Sequence, residues 1–108
     1  MTTTPTSPRQ PQSFALGQIL CTPGVLQAAA EHPDLMAACI ARHARSDWGC
    51  ICPEDAETND EAVRDGFRIL SAYPIDPALP CKGYGENCVW VITEADRSVT
   101  TLLLPDEY

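Results

Sequence analysis

The hydrophobic period of this chain changes once, close to Gly66, and that change bounds the fold more tightly than any other feature. Before it, Leu35, Met36, Cys39, Ile40 and His43 recur at steps of one, three and four; after it, 67–73, 88–94 and 99–104 are dense in β-formers. Side chains at i and i+4 share a helix face, whereas those at i and i+2 share a strand face. The first half therefore reads as helices and the second as strands. The expectation is an α+β fold with N-terminal helices packed on a three-stranded antiparallel β-sheet.

A chain of 108 residues has room for one domain. Hydrophobic residues at 44% and charged residues at 20% suffice for a core. Residues 1–13 differ, with three prolines among Thr, Ser and Gln. Such a composition buries too little apolar surface to offset chain entropy, so 1–13 is expected to be a disordered tail and 14–108 the folded domain.

Local signals set the element boundaries. Phe14 to Leu20 reads as a short extended or irregular segment. Thr22 suits a helix cap and Pro23 a first helical turn, with the helix running to about Ala30. His32-Pro33-Asp34 restarts the chain into a second helix. Pro53, Glu54 and Asp55 open a third, because proline needs no amide partner there and carboxylates favour the positive helix end. Ala56, Asn59, Ala62 and Val63 mark its inner face, and Gly66 its stop. Ala95 to Ser98 turns the last two strands, and 74–87, with three prolines and two glycines, is too long for a tight hairpin and reads as a protruding loop.

Charge narrows the partners. Fifteen acidic against seven basic side chains give a net charge of −8. Such a surface repels phosphate backbones and anionic membranes, so neither direct nucleic-acid binding nor membrane binding is expected. No apolar run approaches the ~20 residues of a membrane span, and the first residues lack the basic and apolar regions of an export signal, which points to the cytoplasm.

The acidity is concentrated in the third helix, where Glu54, Asp55, Glu57, Asp60, Glu61 and Asp65 stand against one basic residue, Arg64. At ~100° per residue, positions 54, 57, 61 and 65 lie broadly together. Such a stripe either solvates a helix or imitates the charge spacing of a nucleic-acid backbone for a basic protein partner. Trp48, just ahead of it, and the 74–87 loop are candidate auxiliary contacts.

The remaining chemistry-bearing residues give weaker patterns. Cys50, Cys52, Cys81 and Cys88 provide four possible zinc ligands, but as Cys-x-Cys and Cys-x6-Cys rather than Cys-x2-4-Cys knuckles. A Cys81–Cys88 bridge formed on oxidation and ordinary reduced thiols are the other readings. Cys21 and Cys39 sit among apolar neighbours as small core residues. His43, near the end of the second helix, reads as a cation at the negative helix terminus, and His32 as a residue flanking its start. Glu94, Asp96 and Arg97 read as exposed turn charges. No Gly-rich phosphate loop, dinucleotide fingerprint or hydrolase signature is present, so neither an enzyme nor a cofactor is expected.

Over about residues 14 to 108, the motifs Arg42-His43, Asp47-Trp48-Gly49, Glu54-Asp55, Asn59, Gly66, Leu70-Ser-Ala-Tyr73 and Trp90 through Thr101 resemble a family of short bacterial plasmid- and phage-associated proteins. Many of these carry the label of a type I restriction-modification methylation subunit. A DNA methyltransferase needs a Gly-rich cofactor turn and an Asn-Pro-Pro-aromatic loop, and this chain has neither. The resemblance implies the company of mobile elements, which encode small acidic proteins that bind host factors.

The expectation is a non-enzymatic binding protein that inhibits a basic host nucleic-acid-binding defence complex, of the anti-CRISPR or anti-restriction type. Contact would run through Glu54, Asp55, Glu57, Asp60, Glu61, Asp65 and Trp48, with no metal and with homodimerisation as an option. The alternatives are a structural or oligomeric module and a small zinc-binding protein.

Overall fold

Leu35, Cys39 and His43 return at steps of four and are the residues that α2 (Leu35–Ala44) buries. Their stripe packs against alternate residues of β2 (Ile69–Tyr73), β3 (Val89–Thr93) and β4 (Val99–Leu103). Val25, from α1 (Pro23–Glu31), joins Leu35, Cys39, Tyr73, Val89, Val91 and Leu102 in the main core. The computed structural model describes residues 14–108, so the expected tail 1–13 lies outside the described residues. The α+β class is as expected, with three helices and, among the described residues, a single sheet.

The sheet itself corrects the sequence reading: it has four strands, in the order β1-β4-β3-β2, and is mixed rather than antiparallel throughout. The extra strand is β1 (Gln18–Cys21), paired parallel to β4 from Gln18↔Val99 to Cys21↔Leu102. Hydrogen bonds from Gln18 N to Ser98 O and from Thr22 N to Leu102 O, both 3.0 Å, bracket the ladder. Four residues too short to show alternation gave no local sign of a partner some 80 positions away. Gly17 is what lets β1 approach. Its φ is +66°, and a Cβ there would lie 2.3 Å from the Ser98 carbonyl oxygen.

The opposite edge of the sheet is covered. Trp48 O accepts from Ala72 N and Cys50 N donates to Ala72 O, so residues 48–50 act as a fragment of a further strand against β2. Gly49 permits this contact, since at φ +78° a Cβ would fall 2.0 Å from Ala72 O. At Leu70 the cover is a side chain: Asn59 Nδ2 donates to Leu70 O at 2.7 Å, and Leu70 N donates to Asn59 Oδ1 at 3.3 Å. The amide of Asn59 thus stands in for a strand, leaving β2 no open backbone at that point.

His43 corrects a second expectation. It is fully buried rather than a surface cation at a helix end, and burial pushes its pKa down to about 4. Its Nδ1 meets Ser71 Oγ, and its Nε2 meets Thr93 Oγ1 at 2.8 Å. Thr93 in turn meets Thr100 Oγ1 at 2.7 Å, and Thr100 donates to Leu16 O. One arrangement supplies a hydrogen to every bond: Ser71 donates to Nδ1, the Nε2–H donates to Thr93, Thr93 to Thr100, and Thr100 to the Leu16 carbonyl. The neutral Nε2–H tautomer thus completes a polar line through the core, with no buried polar side-chain atom left unpaired among the described residues.

The chain end helps to hold α1. Thr22 occupies the expected N-cap position, but its hydroxyl donates to Glu107 Oε1 instead of accepting from the helix. Glu107 Oε2 accepts the Gly24 amide at 3.0 Å, so the capping carboxylate comes from 83 residues away. These bonds hold the Glu107 carboxyl below its ordinary range, the one from Thr22 most of all.

Candidate functional site: an acidic helix face

α3 (Pro53–Asp65) begins at Cys52 and Pro53 and ends on Gly66, as its residues indicate. Its inner face buries Asn59 and Ala62, with Ala56 and Val63 packed beside a second core cluster of Trp48, Ala62 and Ile69. Three polar ties fasten the helix. Asn59 grips Leu70, Trp48 Nε1 donates to Asp60 Oδ1 at 2.9 Å, and Arg97 Nη2 donates to Ala62 O at 2.8 Å. Arg97, expected as a free turn charge, is therefore a clamp that also reaches Phe67 O at 2.7 Å.

With one face fixed, the other carries charge. Glu54, Asp55, Glu57, Glu61 and Asp65 are all exposed. The ion pairs among the described residues, Arg42–Asp47, Arg45–Asp47 and Arg68–Glu94, include none of these five. At ~1.5 Å per residue the ridge runs for about 16 Å along the helix. Its carboxylates recur about once per turn, on a backbone that its inner contacts keep from shifting.

Two of the seven expected contact residues do not belong to this surface. Trp48 is 4% exposed, packed edge-on to His43 at a centroid distance of 5.7 Å and near Phe14 at 6.1 Å. Burial of so large a ring takes it out of reach of a partner, and its role is to anchor α3. Asp60 is half-buried and receives the Trp48 indole. The 74–87 loop is tied to itself by the Asn87 amide, which exchanges bonds with Asp76 and donates to Leu79 O and Pro80 O. Trp90 Nε1, from β3, donates to Gly83 O at 2.8 Å and ties the loop to the sheet.

A second concave surface lies elsewhere. Leu35, Ala38, Cys39 and Arg42 of α2 face Tyr73 and Ile75 across a cleft of about 350 Å³. Its cation is already engaged: Arg42 Nε and Nη2 donate to the two oxygens of Asp47 at 2.7 and 3.1 Å, and the guanidinium lies 4.9 Å over the Tyr73 ring. The Arg42 bond holds the Asp47 carboxyl below its ordinary pKa. Burial pushes the Cys39 thiol up to about 11, so it stays protonated at neutral pH. The cleft suits an apolar side chain more than an anion.

The cysteines divide. Cys39 is core and Cys21 packs against it, as expected. Cys52 is exposed at the start of α3, whereas Cys81 of the loop adjoins both Cys50 and Cys88. Among the described residues no group of three His, Cys, Asp or Glu side chains is arranged to hold a metal ion, and no helix is long and apolar enough to cross a membrane.

Sequence reasoning missed Asn59, Arg97 and Glu107 as structural ties. Asn59 carried a readable signal, since an amide in the middle of an apolar helix stripe needs a buried partner. Compared with models of known families, with curated proteins and with solved structures, the chain matches none.

Proposed function

We propose that this protein is a non-enzymatic binding protein whose α3 ridge engages a basic, nucleic-acid-binding protein. The observation that carries this reading is the division of α3 itself, five exposed carboxylates outside, none in an ion pair among the described residues, and three polar clamps inside. A surface helix kept only for solubility has no need of that fixation. A ridge that must match the charges of a partner does, because preorganised charge loses less entropy on binding.

A protein groove that binds nucleic acid is lined by Arg and Lys set to meet phosphates. Carboxylates recurring along α3 meet the same groups and keep nucleic acid out. In the mobile-element setting suggested by the family resemblance, the partner is a host defence complex of the CRISPR or restriction type, and occupancy inhibits it.

Affinity capture from nuclease-treated lysate, with the tagged full chain and a Glu57→Lys/Glu61→Lys variant side by side, tests this. Capture of a basic nucleic-acid-binding protein by the parent, released by raised salt and absent with the variant, is the expected result. Equal capture by both overturns the reading.

A further inference from the structure

Three of the six cysteines meet at one place that the binding function does not use. Cys81, in the β2–β3 loop, adjoins both the Cys50 thiol and the Cys88 thiol. Cys50 lies in the edge segment paired with Ala72, and Cys88 immediately precedes β3. The loop rests directly on this segment, for a Cβ built on Gly83 would lie 2.9 Å from Cys50 O.

Accessibility separates the two neighbours of Cys81. Cys50 and Cys81 are both half-exposed, whereas Cys88 is fully buried. Burial pushes both neighbours up, Cys50 to about 11 and Cys88 to about 12, so exposure rather than acidity separates them.

We infer that Cys50 and Cys81 form a reversible intrachain disulfide that staples the β2–β3 loop to the edge segment 48–50. The oxidant is a hydroperoxide. The Cys81 thiolate attacks its terminal oxygen, the O–O bond breaks, and the released alkoxide takes a proton to leave as an alcohol. The Cys50 sulfur then attacks Cys81 Sγ of the sulfenic acid, the S–O bond breaks, and water departs with the Cys50 proton. Two thiols lose two electrons and two protons in all, and the hydroperoxide is reduced to alcohol and water. A thiol reductant reverses the bridge by exchange. Because residues 74, 75 and 77 line the α2 cleft, the staple fixes the far end of the segment that forms one cleft wall.

The test treats the full chain carrying Cys52→Ser, which removes the exposed thiol, with hydrogen peroxide. Remaining thiols are then alkylated, and the product is mapped by mass spectrometry without reduction. Before alkylation the expected product is a monomer about 2 Da lighter than the reduced chain, a loss that dithiothreitol restores; after unfolding and alkylation, Cys50 is joined to Cys81 and Cys88 is alkylated. Adding Cys50→Ser should replace the bridge by a Cys81 sulfenic acid trapped by dimedone, while Cys88→Ser should leave the bridge unchanged. A Cys81–Cys88 bridge, sulfinic acid in place of a disulfide, or no oxidation of the parent overturns the inference without bearing on the α3 ridge.

Discussion

α2 buries Leu35, Cys39 and His43 in 10 residues, and α3 buries only Asn59 and Ala62 in 13. Each helix thus carries one buried polar side chain, and each satisfies it in a different way. His43 is paired with hydroxyls deep in the sheet, so α2 is tied to the interior of the fold. Asn59 is paired with the backbone of an edge strand, so α3 is held at the margin with most of its surface outside. The difference teaches where sequence freedom lies. On α2 the stripe serves stability, while on α3 one small buried residue, Ala62, and one amide, Asn59, suffice, and the outer face is left for charge.

The contrast breaks first at His43. Replacing it by alanine removes the imidazole and strands Ser71 and Thr93 in the core, so urea unfolding should show a loss of about 3–5 kcal/mol.

Acid should act on the same residue. The folded-state pKa is lowered to about 4 from an ordinary 6.5, so the unfolded chain binds the extra proton between those values. The stability from neutral His43 is complete above about pH 6.5 and falls by roughly 3 kcal/mol as pH drops toward 4. Urea midpoints measured across that window should decline for the parent and stay flatter for His43→Gln.

Asn59→Ala comes next. It leaves the Leu70 amide and carbonyl at the β2 edge without their partner, for an expected loss of about 2 kcal/mol, and hydrogen exchange at Leu70 should quicken. Glu57→Lys/Glu61→Lys stands at the small end, with a change within about 0.5 kcal/mol because both side chains are exposed. A large loss from the charge reversal would place α3's outer face among the structural parts and erase the contrast.

The two halves of the molecule differ in what their residues disclosed. The helix limits were legible because Pro23, Pro53 and Gly66 act locally, and β2 to β4 because Val, Ile and Thr cluster where the period changes. β1 was read only as a short extended or irregular segment, and its parallel pairing with β4 was not legible, since it depends on a contact between residues some 80 positions apart that no window of sequence contains. His43 misled for a related reason: a histidine in the last turn of a helix satisfies the dipole rule equally well whether it faces water or Ser71 and Thr93. Of the candidate site, the five outer carboxylates could be counted from residues alone. Trp48 and Asp60 could not be placed, because the indole-to-carboxylate bond joins two residues that each looked available separately.

Amide chemical shifts of the labelled protein, followed while the captured basic partner is titrated in, distinguish the two helices most directly. Changes centred on Glu54, Asp55, Glu57, Glu61 and Asp65 that fade as salt is raised are the expected result. Changes confined to Ala38, Arg42 and Ile75 around the α2 cleft, with the α3 amides unmoved, would contradict the proposed role of α3.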